Sequence, residues 1–215
     1  SHSIALFLAL LLAPFITVTT LVARLDGTSL TIAGNSLAIA TLSTGIMICL
    51  IWILQWRLHP FSRRWRHYEK DLVIDGLHAY LSTGWGKKAA DVAVLFVATE
   101  LSVGRSLLDG IPIAVLLPAG VIIGDLGAYV VHRIFHHYKI VWPIHAIHHT
   151  PEVLNASSSG RSHPVNVISV WLVQSIPLVL LGFPAPVLVG VAVWTSTNGL
   201  LQHSNIDFRL GWLER

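Results

Sequence analysis

Six histidines fall between His132 and His149, a stretch of eighteen residues. His132 and His136 stand four apart, and His145, His148 and His149 follow at i, i+3 and i+4. On a helix each set projects from one face, close enough for its rings to meet on one ion. Neutral imidazole is the commonest side-chain ligand for transition metals. The pattern therefore points to metal chemistry.

Which metal is a question of donor type. Five ring nitrogens from two helices exceed the needs of one structural zinc, which is tetrahedral and usually recruits thiolates. The lone cysteine, Cys49, lies in an apolar run far from the histidines and reads as a small core residue. A nitrogen-rich surplus suits redox-active iron, as two ions, without excluding other metals. His163 and His203 each stand alone, and a lone histidine is more often a hydrogen-bonded structural group. Topology places both on the same side as the cluster, so both are candidate ligands.

Asp125, Tyr129, His132 and His136 share a helical face at i, i+4, i+7 and i+11. Asp125 then sits at membrane depth, where a carboxylate needs a partner. It is expected to hold or charge-balance a metal ligand from behind, or else to make a bond between helices. His137 points about 100° away from His136 and is expected behind the ligands or at the interface. Asn155, Asn166, Asn205 and Asp207 are possible supports for ligand rings. Arg133 and Lys139 read as interfacial anchors or headgroup contacts. His2, His59, His67 and His78 are dispersed and are not expected to ligate.

The elements that must position these groups are apolar. Of 215 residues, 53% are hydrophobic and 12% charged, with a mean hydropathy of +0.67. Soluble domains carry about 25% charged residues, so an integral membrane protein is expected. The net charge of +3 is small and confined to loops, which gives nucleic-acid binding no support. One cysteine excludes an internal disulfide.

The expected fold is all-α, a membrane helical bundle with four to six transmembrane or re-entrant helices. Four spans read clearly, at 4–23, 36–56, 89–103 and 111–131. Two shorter segments, 167–182 and 184–200, form a hairpin near the lower length limit for crossing. The N-terminal segment, 4–23, lacks the basic start and short apolar stretch of a signal peptide and reads as a span. Residues 1–56 form an N-terminal helical unit, 57–88 a basic interfacial loop, and 89–215 the histidine-bearing unit.

The loop 57–88 holds seven basic residues, so the positive-inside rule makes it cytoplasmic. Within it 72–83 is expected as a short helix on the membrane surface. Two spans out and back return the chain to the cytoplasmic side near His132, and the hairpin does the same near His203. A helix over 111–137 is about 40 Å long and carries its last turns beyond the hydrocarbon. Pro143 opens a second short helix with the remaining histidines, which Pro151 stops.

These residues resemble the fatty acid hydroxylase / sterol desaturase superfamily of membrane di-iron enzymes. The matching segments are DLGAYVVHRIFH (125–136), WPIHAIHHT (142–150), RSHP (161–164) and LQHSN (201–205), spread over about 121–213. The resemblance implies oxygen-dependent hydroxylation or desaturation of a lipid, with iron held by the histidines. It also implies an electron donor, either a cytochrome b5-like protein or a ferredoxin with its reductase. The family's third cluster, of the type His-x-x-His-His, follows a segment like 203–213, and this chain ends before it. Both ends read as trimmed, which makes 89–215 a hydroxylase-like unit incomplete at its C-terminal end.

Two other readings stay open. A membrane zinc hydrolase would want a general base beside its ligands, and no His-Glu-x-x-His motif is present. A metal transporter or bis-histidine haem protein would place ligands face to face within the bilayer, whereas most of these lie beyond a span's end.

Overall fold

The computed structural model describes residues 3–25, 29–58, 60–65, 71–100 and 108–209. His2, His59 and His67 lie outside these residues. The fold is all-α: among the described residues there are helices and connecting turns only. The helices are α1 (Ser3–Val22), α2 (Ser29–Arg57), α3 (Leu72–His78), α4 (Gly86–Glu100), α5 (Ile113–His137), α6 (Trp142–Ala146), α7 (Pro164–Leu180) and α8 (Ala185–His203).

Three stretches, Ile4–Val22, Ala38–Arg57 and Ile113–His137, are long and apolar enough to cross a membrane by length and composition. Helix α4 is not among them. Over its fifteen residues it carries Lys87, Lys88, Asp91 and Glu100. Residues 101–103 of the third expected span lie outside the described residues. The spans turn apolar side chains outward: Leu42 and Ile46 on α2, and Ile122 and Leu126 on α5, are all exposed. A water-soluble bundle would bury such residues, whereas lipid tails accept them.

Helix α8 sits among α1, α2 and α5, while α7 bridges α5 and α4. One core joins Leu10, Leu11, Met47, Ile51, Leu200 and Leu201. A second joins Leu116 of α5 to Leu178 of α7 and to Phe183, Val187 and Val191 at α8. Helix α5 approaches its neighbours closely because it presents glycines to both. A Cβ on Gly124 would lie 2.9 Å from Val191, and one on Gly127 would lie 2.7 Å from the Val173 carbonyl oxygen. Close backbone approach through small residues is how membrane helices gain packing without a hydrophobic driving force.

The α7–α8 turn closes on Gly182, whose φ of 78° is left-handed. Phe183 N–H donates to Leu178 O and Gly182 N–H to Val179 O, both at 3.0 Å, which caps the last turn of α7.

The expected surface helix over 72–83 is α3, continued without a break by a π-helical turn, Ala79–Trp85, into α4. Its polar side faces inward: Asp75 and Ser82 are buried, while Val73, Leu77, Tyr80, Leu81 and Trp85 are exposed. That orientation inverts the usual surface helix. It suits a segment whose outer side meets lipid and whose inner side meets a polar loop.

Candidate metal centre

Helix α5 ends at Tyr138, whose backbone is extended and whose N–H donates to Ile134 O. The chain then reverses through 138–141 and enters α6, with Pro143 in its first turn. This reversal lays His145 and His149 against the last turns of α5. The ligand nitrogens of His132, His136, His145 and His149 all lie within 4.8 Å of one another. The His149 Nε2 is 3.1 Å from both His136 Nε2 and His145 Nε2. Two adjacent nitrogens bound to one ion at about 2.0–2.1 Å each stand roughly 2.8–3.4 Å apart, from octahedral to tetrahedral geometry. The observed spacing is that of a coordination polyhedron's edge.

The rings are turned for the purpose. His145 Nδ1–H donates to Asn166 Oδ1 at 3.0 Å, and Asn166 Nδ2 donates to Ser162 Oγ at 2.7 Å. An amide oxygen only accepts, so the neutral His145 ring carries its proton on Nδ1 and aims a bare Nε2 at the cluster. Phe135 stacks on the His145 ring at 5.6 Å, and Trp142 stacks on His149 at 5.7 Å. His145 is buried, while His132, His136 and His149 are exposed, so the cluster opens outward on one side.

Electrostatics favour lone pairs over protons here. Burial pushes the His145 pKa down to about 4, against the upward pull of its Asn166 bond and with help from the neighbouring rings. His148 is lowered by burial and then by His203. His149 is lowered by burial, His148 and His136. The donor set fits a cation: imidazoles with converging nitrogens, no thiolate and no carboxylate.

A second pair lies beside the first group. His148 Nε2 and His203 Nε2 are 3.3 Å apart. His148 Nδ1–H donates to the Arg161 carbonyl at 3.1 Å and His203 Nδ1–H to Gly199 O at 2.8 Å, so both rings face each other with bare Nε2 atoms. The rings of His148 and His149 are 5.4 Å apart, which makes the two groups neighbours.

The remaining candidates lie elsewhere. His163 caps α7, its Nδ1 accepting from Val165 N–H at 3.1 Å, and it is not among the four converging rings. Asp125 accepts from the Trp194 indole at 3.1 Å, a bond between α5 and α8, the second of the two roles that the sequence offered it. His137 points to the other side of α5, where it lines a cavity of about 300 Å³ with Val130, Arg133, Ile134 and Tyr138. Asn155 caps the turn Ala156–Gly160, accepting from the N–H groups of Ser157 and Ser158. Asn205 exchanges two bonds with the Ser62 backbone, tying the end of α8 to residues 60–65. For His163, Asp125, Asn155 and Asn205, a backbone group or an indole takes the polar atom that the sequence offered to a ligand.

Asn166 is the residue that supports a ligand ring directly. Sequence offered it only as one of four polar candidates. Its place in the first turn of α7 aims it at His145, and that follows from the helix packing alone. The backbone carbonyls of Arg161 and Gly199 carry no side-chain signal.

The chain is thus an all-α, membrane-associated protein with a histidine cluster able to hold a metal. Residues 117–215 match the fatty acid hydroxylase family model. Through that region the chain belongs to the fatty acid hydroxylase / sterol desaturase superfamily. It is 31% identical over 166 residues to the ornithine lipid hydroxylase OlsE of Rhizobium tropici, covering 74% of this chain and 50% of that protein. It is 36% identical over 93 residues to an alkylglycerol monooxygenase of Danio rerio, covering 42% of this chain and 20% of that protein. The chain therefore spans half the length of the first relative and a fifth of the second. No solved structure matches it significantly.

Proposed function

We propose that this chain is the metal-holding part of a membrane non-haem di-iron oxygenase that hydroxylates or desaturates a lipid C–H bond with O2 and external electrons. The observation that carries the reading is the convergence of four imidazoles at the end of an apolar helix. Bound iron would supply the oxygen and one-electron chemistry that side chains lack.

The chain's own residues do the rest. His132, His136, His145 and His149 would hold one ion, and the His148–His203 pair would contribute to a second. Asn166 and the Arg161 and Gly199 carbonyls keep the ring protons on Nδ1 and so hold the ligand nitrogens bare. His163, whose Nε2 is not used in capping, is the weakest of the proposed ligands. Exposed Ile122, Leu126 and Tyr129 run along α5 toward His132 and offer an apolar track for a lipid chain. The exposed edges of the cluster face outward, as delivery of electrons by a cytochrome b5-like protein or a ferredoxin requires.

A lipid substrate is also suggested by the names of the relatives, which act on an ornithine lipid and on an alkylglycerol. A cytoplasmic site is favoured because α3, within the basic 57–88 segment, packs against the loop whose Arg161 carbonyl meets His148. A hydrolytic zinc site is disfavoured because the group of four includes no carboxylate to act as base. A bis-histidine haem is disfavoured because the extra imidazoles would occupy the space of the porphyrin.

The test is metal analysis and optical spectroscopy of the purified full chain, joined to lipid profiling of cells with and without the intact gene. About two non-haem irons, and a lipid differing by one oxygen or two hydrogens, is the expected result. Zinc alone, or a Soret band, would overturn it.

A further inference from the structure

We propose that Asp75 is a positioning residue for the metal centre: its ion pair with Arg161 fixes the backbone carbonyl that orients His148. The proposal rests on reading the histidines as ligands. It adds a residue from α3, more than fifty positions upstream of the first of those histidines.

The side chain of Arg161 is gripped from two sides. Its Nε donates to Asp75 Oδ1 at 2.7 Å, and its Nη2 lies 2.5 Å from Asp75 Oδ1 and 2.9 Å from Asp71 Oδ2. Asp75 is 1% exposed and Arg161 5%, so the pair is screened from water. The other Asp75 oxygen accepts from Ser157 Oγ at 2.6 Å. The Arg161 N–H donates to Ser158 O at 3.0 Å, which leaves its carbonyl for His148 Nδ1–H at 3.1 Å. The N–H, the Nε and the carbonyl of residue 161 are thereby engaged, and the carbonyl holds a ligand ring.

The neighbouring residues are seated on the same helix. Gly160 O accepts from Thr83 Oγ1 at 3.1 Å, and Ser162 O accepts from His78 Nδ1–H at 3.1 Å. A Cβ on Gly160 would stand 3.0 Å from Ala79, so the loop lies directly on the helix backbone. Asp71, Asp75, His78 and Ser82 recur at i, i+4, i+7 and i+11, one polar face turned wholly to this loop.

Stability alone accounts poorly for such an arrangement. A buried ion pair is often no better for stability than an apolar filler of the same volume. Two carboxylates set against one planar guanidinium, with a hydrogen bond from its Nε, do fix direction, which packing by aliphatic chains does not. The direction fixed here is that of the peptide that meets His148. His145 is held separately, through Asn166, so the Asp75 grip bears first on the His148–His203 pair.

The test uses the full chain in detergent micelles, with Asp75→Asn, Asp71→Asn and His148→Ala. Cobalt(II) is titrated and its visible bands recorded. In metal-free protein the His148 ring nitrogens are read by 15N NMR, assigned by their loss in His148→Ala. In Asp75→Asn, binding that depends on His148 and His203 is expected to weaken about 10- to 100-fold with altered bands. Binding by the group of four is retained, and His148 becomes a mixture of tautomers. Asp71→Asn shifts both readouts in the same direction by less.

A folded Asp75→Asn with the parent tautomer and parent cobalt binding would overturn the proposal. Equal weakening of both histidine groups would do the same, since that is a merely structural effect. Should Asp75→Asn fail to fold, Asp71→Asn decides by the same criteria. Should the parent bind no cobalt through any histidine, the metal reading fails, and the tautomer measurement still judges the positioning role on its own.

Discussion

At the scale of single residues, the site depends on keeping imidazoles neutral and aimed. Asn166→Ala removes the acceptor that holds the His145 proton on Nδ1. It is expected to cost about 10- to 100-fold in metal affinity, measured by titration, while leaving the helical content unchanged. The depressed pKa of His145 has a sign that can be worked out. In the unfolded chain the ring takes a proton near pH 6.5, in the fold only near 4. The unfolded state therefore binds more protons between these values, and the metal-free fold loses stability as pH falls through that window. Denaturant titrations at pH 7 and pH 5 should show the loss, and His145→Gln should flatten it. A rise in stability on acidification would contradict the assignment.

At the scale of elements, glycines set the distance between α5 and its neighbours, and that distance sets where His132 and His136 stand. Gly127→Val would drive side-chain atoms into the Val173 carbonyl, 2.7 Å from the new Cβ. Overpacking of this kind costs about 1–3 kcal/mol, so a lower melting temperature and reduced metal loading are expected together. Gly45→Ala is the control: nothing lies within 4 Å of its new Cβ, and no loss is expected. Most elements were legible from hydropathy, since 4–23, 36–56 and 111–131 fall within α1, α2 and α5 to within a few residues. The inward polar face of α3 was not legible. Its sequence alternates polar and apolar residues as any surface helix does, and only the loop at 155–163 decides which side is buried.

At the scale of the molecule, α3 meets the turn Ala156–Gly160, and the Arg161 carbonyl just beyond that turn meets His148, which brings α3 close to the histidines. With Cys49→Ser as background, Lys139→Cys and Ser62→Cys should react with an impermeant thiol reagent from the same side of the membrane. That side is expected to be the cytoplasmic one. Labelling from opposite sides would contradict the topology that joins the basic loop to the site.

Spacing along the chain predicted that His132, His136, His145, His148 and His149 would gather, and four of these five form the converging group. Helical periodicity is local, and a proline-led reversal after a long helix leaves few places for the second set to go. Composition likewise determined an apolar helical bundle, because so few charges cannot cover a water-facing surface. Only the tertiary structure decided that His148 turns from its neighbours toward His203, that His163 and Asn155 serve as caps, and that Asp125 bonds Trp194. Those outcomes depend on which backbone carbonyl, amide or indole arrives within about 3 Å of each polar atom. Such meetings join residues dozens of positions apart, and no periodicity along the chain encodes them.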